Sequence, residues 1–201
     1  MSFAEPSKRN KIILDIDNGL GLPVTDTDDA LALSLALHSP EIELLGITTC
    51  AGNCATAQST GNTLAQLALA GRREIPVAEG RAEPILRSRA AHFAYLQTKS
   101  AGPGARFWEE LPPHPDTDMA ASPLKAHEFM SQTLRQHPGE VTLVAVGSLT
   151  NLALALLCDP DLSGVIKAVY HVGGGFEPAR AGDDPLVWET PDISPEVWRD
   201  I

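Results

Sequence analysis

Residues 11–29 carry the sequence KIILDIDNGLGLPVTDTDD, and this stretch decides the fold. Residues 11–15 have the short apolar character of a buried strand, and two acids stand at and just beyond its end. Two further acids open the next apolar segment, residues 29–38 (DALALSLALH), which has the length of a helix. The four acids are Asp15, Asp17, Asp28 and Asp29.

Beyond this stretch, apolar runs of strand length alternate with longer runs of helical length. The predicted strands are residues 11–15, 41–49, 75–78, 140–146 and 165–172. The predicted helices are residues 29–38, 55–70, 119–137 and 149–158. Because the strands are nearly all apolar, both faces of their sheet must be covered. The pattern therefore predicts the α/β class, with a mostly parallel, doubly wound sheet that carries helices on both faces.

Polar residues and glycines follow several of these strands directly. Asp15 and Asp17 follow the first strand, Asn53 follows the second, and Gly147 and Ser148 follow the fourth. In open parallel sheets, ligands bind beyond the carboxyl ends of the strands. We therefore expect these residues to border one binding site.

The bulk composition narrows the class of protein. A chain of 201 residues with 43% hydrophobic and 20% charged residues suits one domain of ordinary size, here residues 1–201. The net charge of −11 argues against nucleic acid as a partner, since phosphate binding needs a basic surface. The first residues have no apolar stretch long enough for a signal peptide or a membrane span, so we expect a cytoplasmic protein without a membrane partner.

Three cysteines are too few, and odd in number, for a disulfide framework. Three residues separate Cys50 from Cys54, and the pair could suggest a metal site, but no second Cys/His pair accompanies them. We interpret them as buried thiols, which is the usual state of a free cysteine.

The four acids concentrate negative charge at one strand end and one helix start, which favours a cation between them. No histidine or cysteine stands beside them, and ligation by oxygen alone favours calcium or magnesium over zinc. Helix capping together with a solvated acidic loop is the alternative for Asp28 and Asp29. Capping does not account for Asp15 and Asp17, which end a buried strand. A carboxylate-held metal indicates hydrolysis as the reaction class and leaves the substrate open.

The acidic opening is one of five segments that occur in the order typical of a known enzyme family. The others are residues 40–53 (PEIELLGITTCAGN), 71–84, 143–153 (LVAVGSLTNLA) and 172–175 (VGGG). As a set, from residue 11 to residue 175, they resemble the inosine-uridine preferring nucleoside hydrolases, whose opening signature is DxDxxxDD. We expect residues 1–201 to form a single, incomplete domain of this nucleoside hydrolase-like kind.

The resemblance implies hydrolysis of the N-glycosidic bond of ribonucleosides to ribose and free base by a calcium-bound water, in purine and pyrimidine nucleoside catabolism. It implies a ribonucleoside as substrate and Ca²⁺ as cofactor, and it is compatible with a homo-oligomer. The implied roles are calcium binding and water activation for Asp17, calcium binding for Asp29 and for the Val146 carbonyl, ribose contacts for Asp28 and Asn53, and support of the site for Asp15.

The chain departs from the family pattern in three places. Ten residues, 18–27, separate the second acid from the third where the family has three, which indicates an inserted loop. Residues 80–118 contain no clear equivalent of the family's active-site histidine loop; His92 is the nearest candidate, and an ordinary surface role remains open for it. The family's later His-Asp pair, whose Asp ligates calcium, has no counterpart that we can align, so we expect a calcium shell short of one carboxylate.

Two alternatives remain at this stage. The first is a truncated, catalytically impaired protein that binds metal or ribose without turnover. The second is a magnesium-dependent phosphoryl-transfer site like that of the haloacid dehalogenases, in which DxD also follows a first strand. That chemistry has no need for the Asp28–Asp29 pair or for the turn at Gly52 and Asn53.

Overall fold

The computed structural model describes residues 9–23, 25–86, 88–101 and 117–172 of the 201-residue chain. The strands in this part are β1 (Asn10–Ile16), β2 (Ile42–Thr49), β3 (Val77–Glu79), β4 (Val141–Ala145) and β5 (Ala168–His171). The helices are α1 (Asp28–His38), α2 (Thr56–Leu69), α3 (Ala90–Ser100), α4 (Ala126–Gln136) and α5 (Thr150–Cys158), followed by the 3₁₀ helix Pro160–Gly164. The segment 172–175 quoted above lies, after its first residue, outside the described residues.

The five strands form one sheet in the order β3-β2-β1-β4-β5, and every neighbouring pair is parallel. The central strand, β1, pairs with β2 on one side and with β4 on the other, so that Asp15 lies opposite Thr48 and Ala145. The chain runs from β1 outward to β3 and then returns across β1 to add β4. That reversal creates a crevice at the carboxyl ends of β1 and β4, which is where ligands bind in such sheets.

Successive residues of β1 face opposite sides of the sheet, and each side has its own core. Ile13 packs in one cluster with Met130 and Leu134 of α4. Leu14 packs in the other cluster with Leu33 of α1 and Leu67 of α2. Helices therefore cover both faces, and the predicted α/β class with a parallel sheet is confirmed.

Most predicted elements begin within two residues of the bounds that the sequence pattern indicated, and two begin later than that. The helix predicted over residues 119–137 begins at Ala126, because Pro123 restricts the residue before it and cannot donate a helical hydrogen bond. Ser122 instead donates its backbone N–H to the carbonyl of Val77 in β3 at 2.7 Å. The strand predicted over residues 165–172 begins at Ala168, because the preceding 3₁₀ helix keeps Val165 in a turn.

The irregular segment 80–118 is long for a loop, which predicts a functional or partly helical segment, and it contains helix α3, whose bounds the apolar pattern did not give. Its sequence, AAHFAYLQTKS, mixes apolar and polar residues without a clear helical stripe. Within the described ranges, no helix combines the length and the apolar character that crossing a bilayer requires.

We predict that Gly46→Ala destabilises the protein by about 1–3 kcal/mol, the usual cost of overpacking a core. Gly46 lies on β2, and an added Cβ would overlap the ring of Phe129, which is buried beneath the sheet. Urea denaturation measures the change in the free energy of unfolding. The matched control is Gly61→Ala in α2, where an added Cβ meets nothing within 4 Å, so stability should hold or rise. Equal loss in both variants would contradict the prediction.

Candidate functional site

The site begins with Asp15 at the end of β1, whose side chain is 1% exposed. Its Oδ1 accepts hydrogen bonds from Thr48 Oγ1 at 2.6 Å and from Asn151 Nδ2 at 2.8 Å. Its Oδ2 is buried and has no hydrogen-bond partner among the described residues. Burial raises the pKa of Asp15 to about 7, since the ionised form loses its hydration. A positive charge placed beside this carboxyl group would therefore favour its ionised form at neutral pH.

Asp17 lies two residues further on, in the turn that leaves the sheet. Its Oδ2 accepts the backbone N–H of Asn53 at 2.6 Å, and its own N–H donates to Asp29 Oδ1 at 3.2 Å. Two glycines make room for this carboxylate, because a Cβ at Gly52 or at Gly147 would collide with it. Burial raises the pKa of Asp17 as well, against the lowering effect of the Asn53 hydrogen bond and of the Arg89 charge.

The second half of the acidic motif stands at the first turn of α1. Asp29 is buried there, and burial, followed by the charges of Asp17 and Asp28, raises its pKa to about 8. Asp28 is exposed, and its Oδ1 accepts the N–H of Asp29 at 3.0 Å. The N-cap residue is Thr27, which makes no side-chain capping bond. Asp28 is therefore not the N-cap that the capping alternative required.

Asn53 joins the two halves of the motif. Its backbone N–H binds Asp17, while its side-chain Nδ2 donates to Asp29 Oδ2 at 3.1 Å and to Asp26 Oδ1 at 2.6 Å. Asp26 belongs to the inserted loop, and its pKa is raised to about 6 by partial burial and by its contact with Asp28. Asn53 thus binds three carboxylates at once and holds them at one side of the turn.

Val146 is the first residue after β4. Its backbone N–H donates to the Asp15 carbonyl at 2.8 Å, which anchors the turn after β4 to the end of β1. The next residue, Gly147, lies against the Asp17 carboxylate. The structure therefore brings Asp17, Asp29 and Asn53 into one hydrogen-bonded cluster, and it places Asp15 near enough to Asp17 for their charges to interact. Asp28 and Val146 lie at its edge.

Several contributing residues were not assigned a role from the sequence. Thr48 and Asn151 bind Asp15, and both are buried polar residues within apolar segments, a signal that could have identified them. Gly80 lies so close that a Cβ there would collide with the Asn151 amide oxygen. Asp26 stands in the inserted loop, where the sequence indicates a fifth acid near the other four but gives it no separate role.

His92 also reaches this region, although the sequence left a surface role open. It lies on α3, and its Nε2 is 2.7 Å from the carbonyl oxygen of Gly52. Burial lowers the pKa of His92, and the nearby Arg89 charge acts in the same direction. The imidazole therefore contacts the loop that supports Asp17.

The donor set fits a hard divalent cation. The described part of the chain contains one group of three acids, Asp26, Asp28 and Asp29, whose oxygens lie within 4.8 Å of one another. The unpartnered Oδ2 of Asp15 and the raised pKa values of Asp15 and Asp29 indicate that the described residues supply too little positive charge to favour the ionised carboxylates. Oxygen ligands of this kind suit calcium or magnesium.

The two cysteines beside the acids are not part of that donor group. Cys50 and Cys54 are buried free thiols, as expected, and burial raises the pKa of both. Neutral, buried thiols of this kind are poor metal ligands.

Comparison with known proteins identifies relatives of this arrangement. The family model for inosine-uridine preferring nucleoside hydrolase matches residues 12–189. Uridine nucleosidase 1 of Arabidopsis thaliana is 36% identical over 171 residues, which is 84% of this chain and 46% of that protein. The pyrimidine-specific ribonucleoside hydrolase RihA of Salmonella arizonae is 37% identical over 166 residues, covering 82% of this chain and 48% of that protein.

Solved structures agree with these sequence matches. A plant nucleoside hydrolase superposes with a TM-score of 0.65 at 33% identity, over 83% of this chain and 48% of the other. A purine-preferring ribonucleoside hydrolase from Gardnerella vaginalis gives a TM-score of 0.67 at 29% identity, over 83% and 49%. The chain spans about half the length of the curated relatives it matches.

We predict that, in the presence of a chelator, the free energy of unfolding falls as the pH rises from about 4 to about 8. Asp15 and Asp29 have folded-state pKa values of about 7 and about 8, above the ordinary value of 3.8. The folded state thus holds more protons than the unfolded state in this window, so stability present below it is lost as these groups ionise. Urea denaturation across the window measures the slope.

Excess calcium should flatten that slope, since a bound cation would compensate the ionised carboxylates. The raised pKa of Asp15 is about 7. Asp15→Asn should therefore reduce the fall in the free energy of unfolding at pH values up to about that pKa. Stability that rises with pH in the chelated protein would contradict this prediction.

Proposed function

The chain belongs to the inosine-uridine preferring nucleoside hydrolase family, and from this premise we propose that the protein hydrolyses the N-glycosidic bond of ribonucleosides to ribose and free base. The observation that carries the proposal is the buried cluster of Asp15, Asp17 and Asp29 at the crevice between β1 and β4. Relatives named for uridine and for pyrimidine ribonucleosides support the substrate class.

We further propose that the cluster holds Ca²⁺ through Asp17, Asp29 and the backbone carbonyl of Val146. Asp26 stands near enough to Asp28 and Asp29 to contribute an oxygen in this chain. When bound, such a cation lowers the pKa of a coordinated water and holds oxygen groups of a ligand. The all-oxygen donor set and the uncompensated carboxylates of the cluster support this assignment.

Asp17 is suited to receive a proton from the attacking water. Its Oδ2 is occupied by the Asn53 N–H, while Oδ1 points toward the space left by Gly147. Burial raises its pKa, which increases its strength as a base once it is ionised. The hydrogen bond from Asn53 fixes the orientation of the carboxylate.

The remaining residues bind and orient the substrate. Asp28 is exposed at the edge of the cluster, where its carboxylate can accept hydrogen bonds from ribose hydroxyls. The Asn53 amide can donate to the sugar when it releases Asp26, which is itself exposed. Glycoside cleavage passes through an oxocarbenium-like state, whose positive charge the surrounding carboxylates stabilise. Asp15 supports the site from beneath, through Thr48 and Asn151.

We predict that Asp17→Asn lowers the rate of uridine and inosine hydrolysis by about 10²–10⁴-fold, the usual contribution of a general base. The substitution preserves the shape of the side chain and its contact with Asn53 but removes the proton acceptor. Release of free base by the purified 201-residue chain, with calcium and with chelator, measures the effect.

The matched control is Asp161→Asn, an exposed acid in the 3₁₀ helix, which should leave the rate unchanged. Turnover that is insensitive to Asp17→Asn would overturn the role proposed for Asp17. The alternative is a catalytically impaired protein that binds metal or ribose without turnover. Calorimetry with ribose and with calcium on the same chain tests it, because it requires binding without any release of base.

A further inference from the structure

The two halves of the acid cluster come from chain segments that a long loop connects. Asp17 and Asp28 are separated by ten residues, 18–27, and a loop of this length does not by itself fix the distance between its ends. The Asp17 N–H nevertheless binds Asp29 Oδ1 at 3.2 Å. Contacts elsewhere must therefore set the relative position of the two halves.

Asn18, directly after Asp17, is fully buried and bonded in three directions. Its carbonyl oxygen accepts from Asn62 Nδ2 at 2.8 Å, and its Oδ1 accepts the N–H of Leu20 at 3.1 Å. Its Nδ2 donates to Gln66 Oε1 at 3.0 Å. The start of the long loop is thus fixed to helix α2.

Gln66 continues this connection to the other half of the cluster. Its Nε2 donates to the carbonyl oxygen of Ala30 at 2.9 Å and to Ser34 Oγ at 3.1 Å. Ala30 directly follows Asp29 in α1. One amide side chain therefore accepts a hydrogen bond from the residue after Asp17 and donates one to the residue after Asp29.

Helix α2 is polar on the side that faces this region. Ser59, Asn62 and Thr63 are buried at 2% exposure or less, and Ser59 Oγ donates to the Ile16 carbonyl at 3.4 Å. The apolar contacts of the same helix come from residues such as Leu67, which packs in the core. Helix α2 therefore packs in the core through its apolar residues and bonds to the end of β1 through a polar residue, Ser59.

We propose that the Asn18–Gln66 amide bridge is a positioning device, which together with the direct contacts of Asn53 fixes the spacing of Asp17 and Asp29 and thereby sets the divalent-cation affinity of the cluster. This inference rests on the cation binding proposed above. Within the described ranges, the side chain of Gln66 hydrogen-bonds to Asn18, Ala30 and Ser34 and not to the acids, so it acts through the backbone segments that carry them. Loss of such supporting contacts lowers metal affinity by about 10–100-fold in known sites.

The test compares Gln66→Met with Leu67→Ala in the 201-residue chain. Methionine is close to glutamine in size and suits a helix, but it cannot bridge Asn18 and Ala30. Leu67→Ala removes a fully buried side chain from the neighbouring position and leaves the bridge in place. It is the control for a general loss of stability, which should amount to about 2–5 kcal/mol.

Two measurements are made on both variants. In chelator, hydrogen exchange of residues 18–30 reports the mobility of the loop and of the start of α1. Calorimetric titration with calcium chloride reports the affinity. We expect Gln66→Met to speed exchange in this segment and to weaken calcium binding by about tenfold or more. Leu67→Ala should lower the melting temperature and leave the affinity of the folded protein unchanged.

The outcomes separate this inference from the function on which it rests. Calcium binding by the wild-type chain that Gln66→Met leaves unchanged would overturn the positioning role. The same conclusion follows if Leu67→Ala weakens binding as much as Gln66→Met. A wild-type chain that binds no calcium would overturn the proposed metal site, and hydrogen exchange would still decide whether the bridge holds the loop: unchanged exchange in Gln66→Met would refute it.

Discussion

Three carboxyl groups buried together at the end of the central strand are the constraint on which the site depends. Asp15, Asp17 and Asp29 are each less than a tenth exposed, and burial raises the pKa of each one. Buried charge is costly unless it is paired, and among the described residues the Oδ2 atom of Asp15 has no hydrogen-bond partner. The arrangement is unfavourable for stability alone, which is why we interpret it as a cation site.

The surrounding structure accommodates these groups by supplying small residues and hydrogen-bond donors. Gly52 and Gly147 leave space for the Asp17 carboxylate, and Gly80 leaves space for the Asn151 amide that binds Asp15. These residues come from the ends of β2, β4 and β3, which the parallel sheet brings to one edge. The fold and the site are thus linked through the topology, because only a parallel arrangement collects these turns at the same edge of the sheet.

The inserted loop changes how the cluster is held together. Where the family signature has three residues between its second and third acids, this chain has ten, so its covalent connection constrains the acids less. Side-chain amides hold the two halves of the cluster together instead. Asn53 binds the carboxylates directly, and Gln66 joins the backbone segments that carry them. The insertion also contributes Asp26, which gives the cluster a further acid.

The sequence by itself determined the fold class, the alternation of strands and helices along the chain, and which acids are candidates for the site. These follow from apolar periodicity and from charge placed at strand ends. The sequence did not determine the start of α4, the bounds of α3, or the roles of Asn151 and Gln66. Those depend on contacts between residues far apart in the chain, such as Asp15 and Asn151, whose residue numbers differ by 136. A buried amide has the same local sequence pattern whether it supports a carboxylate or only fills a core. Only the tertiary structure, which decides its hydrogen-bond partners, distinguishes the two.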